Sequence, residues 1–131
     1  MDQKLIDQYM DELIYAQQGE LDAVLMYNKL AEKVKDAKDA AAFKQLAAEE
    51  GRHASVFHAY TKKVLQPKKT KAVFVPLMYS IVGRRVLYPI IAKQEYAAAD
   101  KYKNIVSLFP DVESVMNDET RHGDIVNGLL K

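Results

Sequence analysis

Cysteine is absent from the 131 residues, which excludes disulfides, thiolate metal sites, a cysteine nucleophile and an appended rubredoxin-type iron centre with its four cysteine ligands. Any metal must then be held by carboxylate and imidazole. There is no tryptophan, and glycine and proline are scarce, at five and four, so few positions interrupt regular structure. No clean apolar run of membrane-spanning length exists: the most apolar stretch, Ala72 to Ala92, is broken by Pro76, Gly83, Arg84, Arg85 and Pro89. The start, Met1, Asp2, Gln3, Lys4, does not resemble a signal peptide, and a cytosolic location is expected. Charge of one sign is lacking too. The 19 basic and 18 acidic residues nearly cancel, so the overall balance calls for neither nucleic acid nor an anionic membrane, and any special charge must be local. This length and a 49% hydrophobic content suit one domain over residues 1–131 with its own core.

What is present is apolar residues recurring every three and four positions, the mark of buried helix faces. An all-α chain is expected. A first helix spans about Asp2 to Val34, and Lys35 to Asp39 turn the chain into a second that ends near Leu65. Gln66 to Lys71 break the pattern, and a second pair follows with its own turn at Phe109, Pro110 and Asp111. Two hairpins make a four-helix bundle. The lysines around Pro67 read as a solvated loop.

On heptad seams, each helix places a glutamate where a hydrophobe belongs. Helix one reads Ile6, Leu13, Glu20, Tyr27, Val34, with Tyr9, Ala16, Ala23 and Leu30 beside it. Helix two reads Phe43, Glu50, Phe57, Val64 beside Leu46, His53, Tyr60. The third segment reads Phe74, Ile81, Tyr88, Glu95, Tyr102, Phe109, and the fourth Val112, Glu119, Val126 beside Val115, His122, Leu129. An ionised carboxylate in an apolar core costs several kcal/mol or more, and four would repel one another. Two divalent cations would neutralise them. The spacing ExxH, which sets two ligands on one helix face, occurs twice, at Glu50/His53 and Glu119/His122. The halves repeat one another, since Glu20, Ala23 and Tyr27 match Glu95, Ala98 and Tyr102, each set followed by its own ExRH. The ligands also share a level. Glu20 lies sixteen residues before Asp36, and Glu50 and His53 fourteen and seventeen after it, about 21 to 26 Å of helix. In the second hairpin Glu95 lies fifteen before Pro110, and Glu119 and His122 nine and twelve after, an offset of up to about two turns.

A lone ExxH is weak, since Glu and His are ordinary surface residues. Two copies on core seams, with a core glutamate on each remaining helix, point to a metal site at Glu20, Glu50, His53, Glu95, Glu119 and His122. A metal-free buried polar network is the competing reading. Tyr27 and Tyr102 are either core tyrosines with satisfied hydroxyls or supports for the ligands. His58 points elsewhere, and Arg52 and Arg121 read as surface or salt-bridge residues.

At these residues the chain resembles the rubrerythrin-like branch of the ferritin-like superfamily over essentially its whole length. The resemblance implies a ferritin-like bundle with a di-iron site, in which Glu20 and Glu95 are terminal carboxylates, Glu50 and Glu119 bridge, and His53 and His122 each cap one metal. It implies peroxide or oxygen as the small oxidant. The second half, with Gly83, Arg84, Glu95, Tyr102 and ETRH, is also similar to ferritin-like domains attached to membrane iron transporters. Two departures stand out. Rubrerythrins typically carry a second glutamate three residues after the helix-three ligand, used when one iron shifts with redox state, and this chain has Ala98 there. They often carry a rubredoxin domain to deliver electrons, so this cysteine-free chain needs an external donor or ferrous iron itself. Two iron ions are expected, with manganese or a mixed pair as alternatives that the same ligands suit. The function expected is a di-iron oxidoreductase, the alternative a ferroxidase-type or non-catalytic iron-binding, storage or sensing protein.

Topology poses a problem of depth. If the third helix began near Ala72, Glu95 would lie twenty-three residues in, while Glu50 lies fifteen before Leu65. Either Lys71 to Tyr88 form a separate crossover helix and Pro89 opens the ligand helix, or one long kinked helix exchanges hairpins in a homodimer. The unbroken seam from Phe74 to Phe109 favours exchange.

Overall fold

The computed structural model describes residues 2–131, and among them the regular structure is helical throughout: α1 (Gln3–Gln8), α2 (Met10–Lys33), α3 (Ala37–Thr61), α4 (Thr70–Val82), α5 (Arg84–Tyr102) and α6 (Val112–Gly128). The expected first helix is α1 and α2, interrupted only at Tyr9. Asp36 starts α3 by accepting hydrogen bonds from the backbone N–H groups of Lys38 and Asp39, satisfying donors that the first turn leaves unpaired. Helix α3 stops at Thr61, earlier than expected, because Lys62 adopts a left-handed conformation with φ of 57°. Val64, placed on the core seam by its spacing, therefore sits on an exposed loop.

That loop returns along α2. Gln17 donates to the Lys63 carbonyl at 2.9 Å, Gln18 to the Gln66 carbonyl at 2.8 Å, and the Lys68 N–H donates to Asp22 at 2.7 Å. Helix α4 continues the same way, and its Tyr79 hydroxyl accepts from the Lys35 N–H at 3.2 Å. Loop and helix together thus carry the chain back to the end of the bundle where α3 began. There Gly83, at φ 81° and ψ 174°, turns the chain into α5, a conformation that residues with a Cβ adopt only under strain.

The crossover is therefore a separate helix, as in the first of the two topologies, but it ends at Gly83. Pro89 lies inside α5 rather than at its first position. The seam expected to run unbroken from Phe74 to Phe109 is not one helix: Phe74 and Ile81 are exposed, while Tyr88, Glu95, Tyr102 and Phe109 are buried. The depth mismatch that motivated hairpin exchange disappears, because all six expected ligands meet within one chain.

Helices α2 and α6 run one way and α3 and α5 the other. Two apolar cores fill the bundle. Leu30, Phe43, Leu46, Tyr88 and Val126 lie in one, and Leu13, Phe57, Phe109, Val112 and Val115 in the other. At the crossover end, the buried Asp39 carboxylate accepts from Arg84 Nε and Nη2, both at 3.0 Å, and from the Tyr88 hydroxyl at 2.7 Å. Arg84 also donates to the Leu129 carbonyl at 2.6 Å, so the start of α5 is pinned to α3 and α6.

No atom stands within 4 Å of a Cβ built on Gly83, so Gly83→Ala tests backbone conformation alone. The substitution should cost about 1–3 kcal/mol in denaturant unfolding while helix content stays unchanged; a neutral result would contradict the strain assigned to this turn.

Candidate metal centre

Between the two cores lies a layer of ionisable side chains. Glu20 comes from α2, Glu50 and His53 from α3, Glu95 from α5, and Glu119 and His122 from α6, each at most 6% exposed. All six expected site residues thus come together. They fall into two groups, Glu20, Glu50, His53 and Glu119, and Glu50, Glu95, Glu119 and His122, and within each the potential ligand atoms lie within 4.8 Å of one another. Glu50 and Glu119 belong to both, so the two groups, each of which could hold a metal ion, are adjacent and share two carboxylates.

The ring nitrogens of each histidine face opposite ways. His53 Nδ1 points inward, 2.9 Å from Glu50, 3.1 Å from Glu119 and 3.2 Å from Glu20. His122 Nδ1 lies 3.3, 3.4 and 3.5 Å from Glu50, Glu119 and Glu95. The outward nitrogens meet two residues that the seam pattern missed: His53 Nε2 is 2.8 Å from Asp118, and His122 Nε2 is 3.0 Å from Glu49. Arg52 pairs with Asp118, and Arg121 with both Glu49 and Asp118, the salt-bridge role expected of them. Asp118 and Glu49 each directly precede an ExxH glutamate, in DETRH and EEGRH, and that repeated acid was the available signal. A carboxylate on the far ring nitrogen fixes the imidazole's orientation and strengthens it as a ligand.

Tyr27 and Tyr102 perform the corresponding task for the outer glutamates. The Tyr27 hydroxyl donates to Glu95 Oε1, and the Tyr102 hydroxyl donates to Glu20 Oε1 at 2.7 Å. Burial and the neighbouring carboxylates push both phenols well above their usual range, so both stay protonated and donate. His58 is exposed and takes no part.

The inward atoms are short of partners. Glu50 Oε1, Glu95 Oε2, Glu119 Oε1 and His122 Nδ1 are buried without a hydrogen bond of adequate geometry, a costly arrangement in an apolar interior. Protons partly fill the need. Burial opposes charge on His53, but hydrogen bonds to Glu119, Glu20 and Glu50 prevail and push it up to about 12; His122 is raised as well. Burial lifts Glu95 to about 7, and burial with the charge of Glu20 raises Glu50 well above the carboxylate range. Burial would raise Glu119 too, but the His122 and His53 rings, 3.4 and 3.1 Å from its Oε1, prevail and lower it to about 2. The protons that the converging carboxylates hold on the adjacent imidazoles are what divalent cations would replace, and carboxylate with imidazole suits iron or manganese.

In the metal-free protein, His53, raised from 6.5 to about 12, contributes stability that is complete below pH 6.5 and is lost as the pH rises through about 12. Its ring should show no titration by NMR between about pH 5 and pH 9, and a midpoint near 6.5 would contradict the geometry. Asp118→Asn and Glu49→Gln should each weaken cation binding about 10–100-fold in a metal titration, with the helical fold retained by circular dichroism. Unchanged affinity would remove the role given to these carboxylates.

No curated protein and no solved structure matches the chain. The family profile described as rubrerythrin matches residues 11–130, a span containing all six candidate ligands. With the paired ExxH histidines facing a shared carboxylate cluster, the chain belongs to the rubrerythrin family.

Proposed function

We propose that Glu20, Glu50, His53, Glu95, Glu119 and His122 hold two iron ions, and that the protein is an oxidoreductase that reduces hydrogen peroxide or oxygen there. Glu20 and His53 would serve one ion, Glu95 and His122 the other, and Glu50 and Glu119 both. The observation that carries this is the overlap of two four-residue groups through two shared glutamates. The carboxylate and imidazole donors also accommodate manganese or a mixed pair. An Fe(II) pair would supply one electron from each ion, which with two protons converts one peroxide into two waters.

The chain's own residues define what can react. Burial of all six side chains, each at most 6% exposed, favours an oxidant as small as peroxide or oxygen. Tyr27 and Tyr102 occupy one oxygen each of Glu95 and Glu20 and so leave the other to face a cation. Asp118 and Glu49 hold the imidazoles with Nδ1 inward. The absence of cysteine leaves re-reduction to a separate electron donor, and we read the protein as cytosolic. The same absence, with Ala98 one turn beyond Glu95, favours a second reading in which the site oxidises Fe(II) for storage, sensing or transfer.

Metal analysis after loading decides the ligand assignment. Glu50→Ala should abolish two-metal occupancy, while Glu12→Ala and Glu32→Ala, both at exposed positions, should not; two metals bound by the Glu50→Ala protein would sink the assignment.

Turnover decides between the readings. The di-ferrous protein should react faster with peroxide than with oxygen, and a reduced rubredoxin-type donor should sustain peroxide consumption without mineral growth. Should the donor have no effect while excess Fe(II) is oxidised and retained well beyond two ions per site, iron handling replaces the enzyme.

A further inference from the structure

Helix α4 is apolar on both faces. Ala72, Val75, Met78, Tyr79 and Val82 turn toward the bundle, packed against its core or, for Ala72, buried. On the opposite side Val73, Phe74, Leu77 and Ile81 are each more than half exposed, and their spacing makes them one stripe of a single helix. Between Ala72 and Val82 there is no charged residue. A stripe this apolar on a convex surface marks a contact with something.

Charge identifies the occupant. Between Glu50 and Glu95 the sequence holds nine lysines and arginines and no aspartate or glutamate, leaving ten basic against eighteen acidic residues elsewhere. The near-neutral total conceals this division. Lys68, Lys69 and Lys71 stand at the start of α4, and Arg84 and Arg85 follow its end. Arg84 is engaged by Asp39, while Arg85 is exposed. The neighbouring acids are few: Asp22 accepts the Lys68 backbone N–H, and Glu32 on α2 lies 3.7 Å from Lys29. A symmetric pairing of two α4 stripes would bring cationic ends together, so a second copy fits poorly. An apolar ridge about 12 Å long on a helix of about 20 Å, with cations at both ends of the helix, matches a helix lying in the boundary of an anionic bilayer.

We propose that α4 docks the protein on an anionic phospholipid surface, with Val73, Phe74, Leu77 and Ile81 entering the acyl boundary and the flanking lysines and Arg85 meeting the headgroups. This is surface attachment, since none of the described helices is long and apolar enough to cross a membrane. It is independent of the metal, because none of these residues belongs to the ligand cluster.

Flotation of the full chain with vesicles tests it. The protein should float with phosphatidylcholine vesicles containing phosphatidylglycerol, stay behind with phosphatidylcholine alone, and be released by salt. Lys68→Glu, Lys69→Glu and Lys71→Glu combined should lower partitioning at least ~100-fold. Leu77→Ser with Ile81→Ser, at positions whose exposure spares the fold, should lower it at least ~10-fold with circular dichroism unchanged. Absence of flotation on the phosphatidylglycerol vesicles at low salt would overturn the proposal. So would full binding by the Leu77→Ser/Ile81→Ser protein, which would leave only a solvated cationic loop. Sedimentation equilibrium gives the other outcomes: a dimer that this double variant converts to monomer puts a second copy on the stripe. Binding to soluble polyglutamate that exceeds binding to the vesicles and ignores Leu77 and Ile81 would indicate an acidic protein. Either result would also overturn it.

Discussion

The structure depends on one electrostatic constraint: four carboxylates and two imidazoles are held between apolar cores, away from water. Their mutual repulsion and desolvation would each cost several kcal/mol, so the layer exists only if positive charge enters it. Protons serve in the metal-free chain, which is why His53 is pushed up to about 12 while Glu119 falls to about 2. Protons are a partial substitute, since four inward atoms have oppositely charged neighbours at ion-pair distance but no well-formed hydrogen bond. Two divalent cations would satisfy the same atoms and neutralise the same charges, which is why the layer is a candidate binding site.

The support for that layer crosses between the halves of the bundle. Tyr27 on α2 holds Glu95 on α5, and Tyr102 on α5 holds Glu20 on α2. Asp118 on α6 holds His53 on α3, and Glu49 on α3 holds His122 on α6. Each hairpin therefore fixes the ligands of the other, so neither half of the site can be ordered alone. The histidine rings stack 5.6 Å apart with an interplanar angle of 21°, consistent with the two-fold repeat in the sequence. Gly123 allows a separate close approach, of α6 to α5: a Cβ there would stand 2.5 Å from the Tyr96 ring.

The glutamate layer was legible in the sequence because a glutamate on an apolar seam is a conspicuous violation of burial, and each of the four seams carries one. Glu49 and Asp118 escaped for the opposite reason. Each lies off the seam three residues before an arginine, where an acid looks like ordinary surface, and only the fold brings it to the opposing imidazole. The break at Gly83 was hidden by periodicity, because the apolar spacing continues through it and Phe74 and Ile81 fall in phase with Tyr88. Spacing reports which side chains would share a face if the helix were continuous, and a single positive φ removes that condition. Pro89 attracted attention as the more usual breaker, yet α5 contains it.

The displaced residues connect fold to surface. Had α4 and α5 formed one helix, Phe74 and Ile81 would have extended the buried seam, and the crossover would have had no room within the chain. Turning at Gly83 resolves the depth of Glu95 relative to Glu50 but leaves α4 to cover only one side of the bundle. Its other side is then exposed along a stretch free of charge and bounded by lysine and arginine. The turn that completes the metal layer within one chain thus also creates the cationic apolar ridge. The proposed metal binding and surface docking would be separable by mutation, since the six candidate ligands lie in the bundle interior and the ridge lies outside it, but both depend on the backbone turn at Gly83.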